Sequence, residues 1–373
     1  MSDQIPFHIQ DEIMKRLPVR SLVQFRCVSK AWKSLIDSSE FIAAHSLRRH
    51  TQPHYLLLSY ENPAEEEDLV FVSRCYTDDD TFPQQSSVLT LPLWVEHLVF
   101  PSVIGSSQGL LCLYGYHLQF PTPMAVLWNP SIRKSVAVLT PDFGVCPNTG
   151  EPIEPSIGFG VCPVTNDPKI VANTSPSEFM IYKLSTRKWR RLPTNLPSRT
   201  QRFFSSVVTD RFIYWEVELK DLKMIMSFDL ISESFDLIDL PDSLARINRW
   251  VVSISKLRDS LALIEYGDDY NFSTVWMMEV GARKSFTKLF TIATNHENIV
   301  GFSKNGIPLL RVVDVDDDYR TKLVVYERNS EHNTVLEICN SPQNFYVHSY
   351  METLLLLPYK RNTLELGGLD GFS

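Results

Sequence analysis

The feature that most limits what this chain can fold into is a strand–turn–strand pattern that returns about every 50 residues, a propeller-blade period. It appears as Leu127-to-Leu139 (LWNPSIRKSVAVL), Met180-to-Leu192 (MIYKLSTRKWRRL), Ser227-to-Leu240 (SFDLISESFDLIDL), Val275-to-Leu289 (VWMMEVGARKSFTKL) and Leu323-to-Ile338. Each copy has an apolar strand, a polar turn, then an aromatic or apolar residue and a closing Leu or Ile. Asn129, Lys183, Asp229, Glu279 and Glu327 mark the strand end before each turn. Alternating runs lie between the copies, at Ser205-to-Trp215, Trp250-to-Tyr266 and Ile299-to-Val313. Those runs supply further strands for each unit. One unit cannot bury both of its faces. Stacking the units into a closed ring does, and it removes most open edges. The pattern predicts about six blades, with Phe345-to-Leu357 as a closing strand.

The first fifty residues follow a different rule. Ile9, Ile13 and Leu17 recur at helical spacing, with Gln10, Asp11, Glu12, Lys15 and Arg16 between them. Pro18 ends that helix or opens the next, where its missing N–H costs nothing. Val19, Leu22, Phe25 and Arg26 continue at helical spacing. Ser29 suits the N-cap of a helix carrying Trp32, Leu35 and Ile36, and Ser38 or Ser39 that of a helix through Phe41, Ile42 and His45. A unit this small makes a poor independent core. Some of its apolar faces are expected to be buried against a partner.

With 373 residues and 44% hydrophobic content the chain has ample material for two packed units. The net charge is −8 but uneven. Residues 1–54 hold 8 Lys/Arg against 5 Asp/Glu, and the remainder 28 against 39. A basic head suits an acidic partner. An acidic body lacks the basic face a nucleic-acid binder needs, and favours basic target surfaces. The 6 cysteines are scattered with no C-x-x-C pair, which predicts reduced thiols of the cytosol or nucleus. No secretory leader and no membrane-length apolar run is apparent.

Catalytic patterns are weak. Gly105-Ser106-Ser107-Gln108-Gly109 fits the G-x-S-x-G string, but Leu110-Leu111-Cys112-Leu113-Tyr114 follows as a strand where an elbow needs a helix, so a hairpin turn is expected. Asp314, Asp316 and Asp318 resemble the start of a calcium loop, yet Tyr319 replaces the required Gly and Val325 the bidentate Glu. The nine histidines show no ligand spacing. Arg187-Lys188-Trp189-Arg190-Arg191 could pass for a nucleic-acid patch, but Trp189 occupies the repeat's aromatic position. No catalytic residue, metal site or cofactor is expected.

The segment IPFHIQDEIMKRLPVRSLVQFRCVSKAWKSLIDSSEFIAAHS resembles a plant-type F-box. The match is carried by Pro6, Glu12, Ile13, Arg16, Leu17, Pro18, Val19, Ser21, Leu22, Phe25, Arg26, Cys27, Val28, Lys30, Trp32, Ser34, Leu35, Ile36, Phe41 and His45. Ile5, Ile9 and Met14 replace leucines of the pattern. His8 stands where an acidic N-cap is common, and Gln24 where Arg or Leu is frequent. GSSQGLLCL, LWNPSIRKS, GFGVCPVTNDPKIV, IYKLSTRKWRRLP, SFDLISESFDLIDLP, VWMMEVGARKSFTKLFTI and FSKNGIPLL, in that order, resemble the plant F-box-associated, kelch-related domain.

The resemblance implies an α+β multidomain protein. A small N-terminal helical F-box spans residues 1–50, an all-β propeller of about six kelch-like blades spans 55–360, and a C-terminal tail spans 361–373. It implies a non-catalytic substrate receptor of an SCF-type (Skp–cullin–F-box) ubiquitin ligase. The module would dock a Skp-type adaptor, and through it cullin, by Ile5, Pro6, Ile9, Ile13, Leu17, Pro18, Leu22, Val28 and Trp32. Some of these nine are needed inside the module, and spacing alone does not sort them. The propeller would hold a target protein the resemblance does not name. An F-box interaction protein acting outside a cullin ligase is the alternative. Neither nucleic acid nor membrane is an expected partner, and the cytosol or nucleus is the expected location.

Overall fold

A computed structural model describes residues 5–47, 54–62, 68–75, 86–120, 122–141, 156–175, 178–194, 200–219, 222–245, 252–267, 271–279, 284–294, 297–314, 320–326, 334–339, 346–360, 363–365 and 368–369. Four short helices come first: α1 (Phe7–Met14), α2 (Val19–Phe25), α3 (Lys30–Ile36) and α4 (Ser39–Ser46). Pro6 and Pro18 stand at the N-caps of α1 and α2, and neither receives a side-chain cap of its own. Ser29 and Ser38 cap α3 and α4, their hydroxyls accepting from the Trp32 and Phe41 amides at 3.1 and 3.2 Å. His8 lies inside the first turn of α1. Long-range contacts tie the helices together. Arg26 donates to both carboxylate oxygens of Asp37 at 2.5 and 2.8 Å, and the buried His45 ring meets the Leu17 carbonyl at 3.1 Å.

Six sheets follow, each built on antiparallel strands, and each is a blade. Blade 2 runs Leu98–Ser107, Leu110–His117, Met124–Asn129 and Lys134–Leu139 from the inside outwards. Blade 3 runs Ser156–Val161, Pro168–Ser175, Glu178–Lys183 and Lys188–Leu192. Blade 4 runs Thr200–Val208, Phe212–Leu219, Leu222–Asp229 and Phe235–Asp239. Blade 5 runs Val252–Leu257, Ser260–Tyr266, Phe272–Glu279 and Ser285–Ala293. Blade 6 runs Asn298–Phe302, Pro308–Asp314, Arg320–Val325 and Thr334–Cys339. The five repeated stretches in the sequence are the third-to-fourth-strand hairpins of these five blades.

Blade 1 joins the two ends of the propeller. His54–Asn62, Asp68–Cys75 and Ser86–Val88 form its outer strands, and Tyr346–Met351 pairs antiparallel with the first of them. The closing strand is therefore the innermost one. It stops at Met351, short of the expected Leu357, because Glu352–Tyr359 leaves the sheet. Phe345 lies outside the described residues. The segment read as a C-terminal tail carries two short strands. Thr363–Glu365 pairs in parallel with the outer strand of blade 2, and Gly368–Leu369 with that of blade 3.

The blades face each other, so most inner strands are buried on both sides and read as near-continuous apolar runs. Met124–Asn129 is buried at every position. Alternate residues serve opposite neighbours. Leu111, Leu113, Val126 and Trp128 pack toward Leu57, Phe71 and Tyr350 of blade 1. Leu110, Cys112 and Leu127 pack toward Ile157, Phe159 and Tyr182 of blade 3. Four further apolar layers fill the remaining gaps between blades. Trp189 fills its expected packing position, with 1% exposure, and its indole N–H donates to the Leu139 carbonyl at 2.9 Å.

The third-to-fourth-strand turns share a device that residue type hides. Arg133, Arg187 and Glu233 all adopt a left-handed backbone, at φ 52°, 57° and 56°. Each lies four residues after the marked strand-end residue Asn129, Lys183 or Asp229. In two of these turns the left-handed residue's amide bonds back to the marked carbonyl, at 2.8 Å for Arg187 on Lys183 and for Glu233 on Asp229. Positive φ in a non-glycine residue is uncommon, so no glycine announces these turns.

Candidate adaptor interface and its seat

Exposure sorts the nine adaptor candidates. Ile5, Ile9, Ile13 and Val28 are 52%, 42%, 46% and 64% exposed, and Pro6 and Pro18 are exposed as well. Leu17 and Trp32 are half-buried against the module's core, with the Trp32 indole N–H donating to the Gln10 side chain at 2.8 Å and its ring 5.3 Å from Phe25. Leu22 is fully buried and offers no surface at all. Helix α1 turns its isoleucines outward, and its buried residue is Met14. Phe7, half exposed, joins the outward set and was not among the sequence candidates. Its apolar character just after Ile5 and Pro6 was the available signal, but it falls off the Ile9–Ile13–Leu17 spacing. Isolated apolar surface residues are ordinary; a row of large ones on a unit this small is a candidate contact surface.

The inner side of the module rests on the propeller. Met14, Val19, Leu22, Ile36, Phe41 and Ile42 belong to one apolar core with blade 2, blade 3 and Leu354–Leu357. Helix α2 meets the turn Pro130–Ile132 of blade 2. The Glu352 carboxyl is pushed up by burial, and a hydrogen bond from the Val19 backbone and the charge of Arg20 pull it back down. It sits at the helix N-terminus that Pro18 leaves without a side-chain cap. Lys134 is pulled down by burial and by Arg26, with Asp37 opposing, which places the Arg26–Asp37 pair beside blade 2.

The G-x-S-x-G string is a hairpin turn. Gln108 and Gly109 take φ 48° and 79° between two strands, and Ser107 is nearly buried with its hydroxyl accepting from the Val161 amide at 3.0 Å. Gly109 is required twice over. Its φ suits glycine, and a Cβ there would lie 2.3 Å from the Met351 carbonyl oxygen. A Ser107→Ala variant is expected to leave any measured activity unchanged and to cost about 1 kcal/mol of stability, read by denaturant titration. Among the described residues no group of His, Cys, Asp or Glu could hold a metal ion. Asp316 and Asp318 lie outside the described residues, as does Glu327. Among the described residues no helix is long and apolar enough to cross a membrane.

The F-box domain family matches residues 2–43, and the F-box associated beta propeller domain family matches residues 56–338. The chain belongs to the F-box-associated β-propeller family. Its F-box is the helical module, and its propeller is the associated domain. The F-box protein CPR1 of Arabidopsis thaliana is 24% identical, over 94% of this chain and 89% of that one. An F-box/kelch-repeat protein of the same plant is 25% identical, over 77% of this chain and 79% of that one. A solved TolB from Acinetobacter baumannii superposes with a TM-score of 0.46 at 13% identity, over 80% of this chain and 70% of that one.

Proposed function

We propose that this F-box protein is the substrate-recognition subunit of an SCF-type ubiquitin ligase. The observation that carries the reading is the exposed row Ile5, Phe7, Ile9, Ile13 and Val28 on an F-box whose other face is already buried. That row, with Pro6 and Pro18, docks a Skp-type adaptor, which bridges to cullin. Leu17 and Trp32 support it from behind. Leu22 acts in the core.

The propeller holds the target. Strand direction puts the F-box at the end of the ring where inner strands turn into second strands and third into fourth. Among the described residues the opposite end carries no part of the F-box, and there Leu93, Tyr116, Leu118 and Phe272 expose apolar surface. Catalysis needs no residue of this chain. Holding a target lysine near a ubiquitin-charged enzyme raises its effective concentration.

The test is co-purification of the full chain with a Skp-type adaptor beside an Ile5→Asp, Pro6→Ala double variant. Both positions are exposed, so the fold should survive. Adaptor affinity is expected to fall at least tenfold in the variant with unchanged thermal unfolding, since burying an unpaired charge in an interface is costly. Adaptor bound equally by both chains would remove this surface from the interface. An adaptor complex that never recruits cullin would favour an F-box protein acting outside the ligase.

A further inference from the structure

The F-box is joined in sequence to the propeller only through residues 48–53, yet much of its buried face rests on the other end of the chain. After the closing strand of blade 1, Glu352–Tyr359 crosses the end of the ring toward the edge of blade 2. Leu354, Leu355, Leu356 and Leu357 are all buried in the core that the F-box shares with blades 2 and 3. This stretch is held from below. The fully buried Asn129 side chain donates to the Thr353 and Leu355 carbonyls at 2.9 and 2.6 Å. The Lys134 ammonium donates to the carbonyls of Leu357 and Tyr359. The Tyr359 hydroxyl donates to the Leu184 carbonyl of blade 3 at 3.3 Å. Its far end is tied by the two parallel edge strands on blades 2 and 3. From above, Glu352 takes up the Val19 backbone at the start of α2.

We infer that Glu352–Tyr359, together with the edge strands Thr363–Glu365 and Gly368–Leu369, forms a strap that seats the F-box on the propeller, so that the two units move as one rigid arm. The strap, and not the connection at 48–53, then decides where the adaptor stands relative to a bound target. A rigid arm keeps the target lysine in reach without the dilution a flexible link imposes. The seating itself holds whatever the exposed face of the F-box binds.

The experiment is amide hydrogen exchange on the full chain without adaptor. Lys134→Met with Glu352→Ala removes polar contacts on both sides of the seat and leaves the ring-closing pairs of Tyr346–Met351 intact. A second variant inserts four Gly/Ser residues within 48–53. Under the strap, exchange at Val19–Phe25 and Lys30–Ile36 rises about tenfold or more in the first variant and stays native in the second, while Ser260–Tyr266 of blade 5 is unchanged in both. Helix exchange that stays native in the first variant, or rises only in the second, overturns the strap. If blade 5 also exchanges faster in the first variant, the decision passes to truncation after Lys360, where faster helix exchange with native blade 5 upholds the strap and native helix exchange overturns it. Adaptor binding plays no part in these readings, so they stand or fall apart from the ligase assignment.

Discussion

Trp215→Ala is expected to destabilise the protein by about 3–5 kcal/mol, the cost of emptying a large core site. Trp215 is 1% exposed and fills the gap between blades 3 and 4 with Ile213, Met226 and Phe228. The ring fits only because blade 3 presents a glycine to it. A Cβ at Gly158 would lie 2.2 Å from Trp215 Cζ2 and 2.7 Å from Ile213 Cγ2. Gly158→Ala therefore overpacks the same gap and should cost roughly 1–3 kcal/mol. The two sites are coupled. Trp215→Phe leaves room for the new methyl, and the indole N–H it removes has no acceptor among the described residues. In the Gly158→Ala background, Trp215→Phe should cost less than it does alone, or restore stability. Denaturant titration of the four chains checks this. Additive losses would mean that Gly158 and Trp215 do not share the contact.

Glu233→Gln should cost about 3 kcal/mol, at the low end for breaking a buried ion pair. Glu233 sits in the left-handed turn of blade 4 and reaches across to blade 3. It meets the ammonium groups of Lys169 and Lys183, each at 2.6 Å, and the guanidinium of Arg190. Lys169 is 4% exposed. Without the carboxylate's charge the buried ammonium loses its anionic partner and keeps the neutral Leu230 carbonyl, at 2.6 Å. Burial alone would raise the Glu233 carboxyl, but hydrogen bonds and charge from Lys169 and Lys183 outweigh it and hold the group below its ordinary 4.5. The sign follows. Between the native and unfolded values the unfolded chain binds more protons, so this contribution is full above about pH 4.5 and is lost as pH falls through the lower native value. The gap between native and Glu233→Gln stability should be constant near neutrality and close in acid. A gap that widens as pH falls would contradict the network.

The sorting of Ile13 from Leu22 shows where sequence reading stops. Both are apolar, both lie at helical spacing, and both match the F-box pattern. Periodicity reports that a face is apolar; it does not report whether that face meets its own core or solvent. Helix α1 turns Ile9 and Ile13 outward because Met14 and Leu17 fill the inner contact, and Leu22 turns inward because the propeller and Leu354–Leu357 close over α2. Phe7 falls off that spacing, so periodicity does not mark it at all.

Blade 1 marks a second limit. The five hairpins with a 50-residue repeat could be found because both of their strands are local. Blade 1 pairs Tyr55 with Tyr350, and nothing local in either strand names so distant a partner. The short edge strands Thr363–Glu365 and Gly368–Leu369 have too few residues to show a period, and they exist only because the outer edges of blades 2 and 3 are there to receive them.

By itself, then, the sequence determined what depends on neighbours along the chain. That covers the helix cap at Ser29 and a serine cap at Ser38 or Ser39, the strand–turn–strand units, the ring they must close to bury two apolar faces each, and the F-box residue pattern. The tertiary structure alone decided what depends on distant segments meeting. That covers the closing of blade 1 by Tyr346–Met351, the choice of Ile5, Phe7, Ile9, Ile13 and Val28 as the exposed row, the fit of Gly158 under Trp215, and the seat that Glu352–Tyr359 makes for the F-box. The physical reason is that burial belongs to a pair of surfaces, and one of each pair lies elsewhere in the chain.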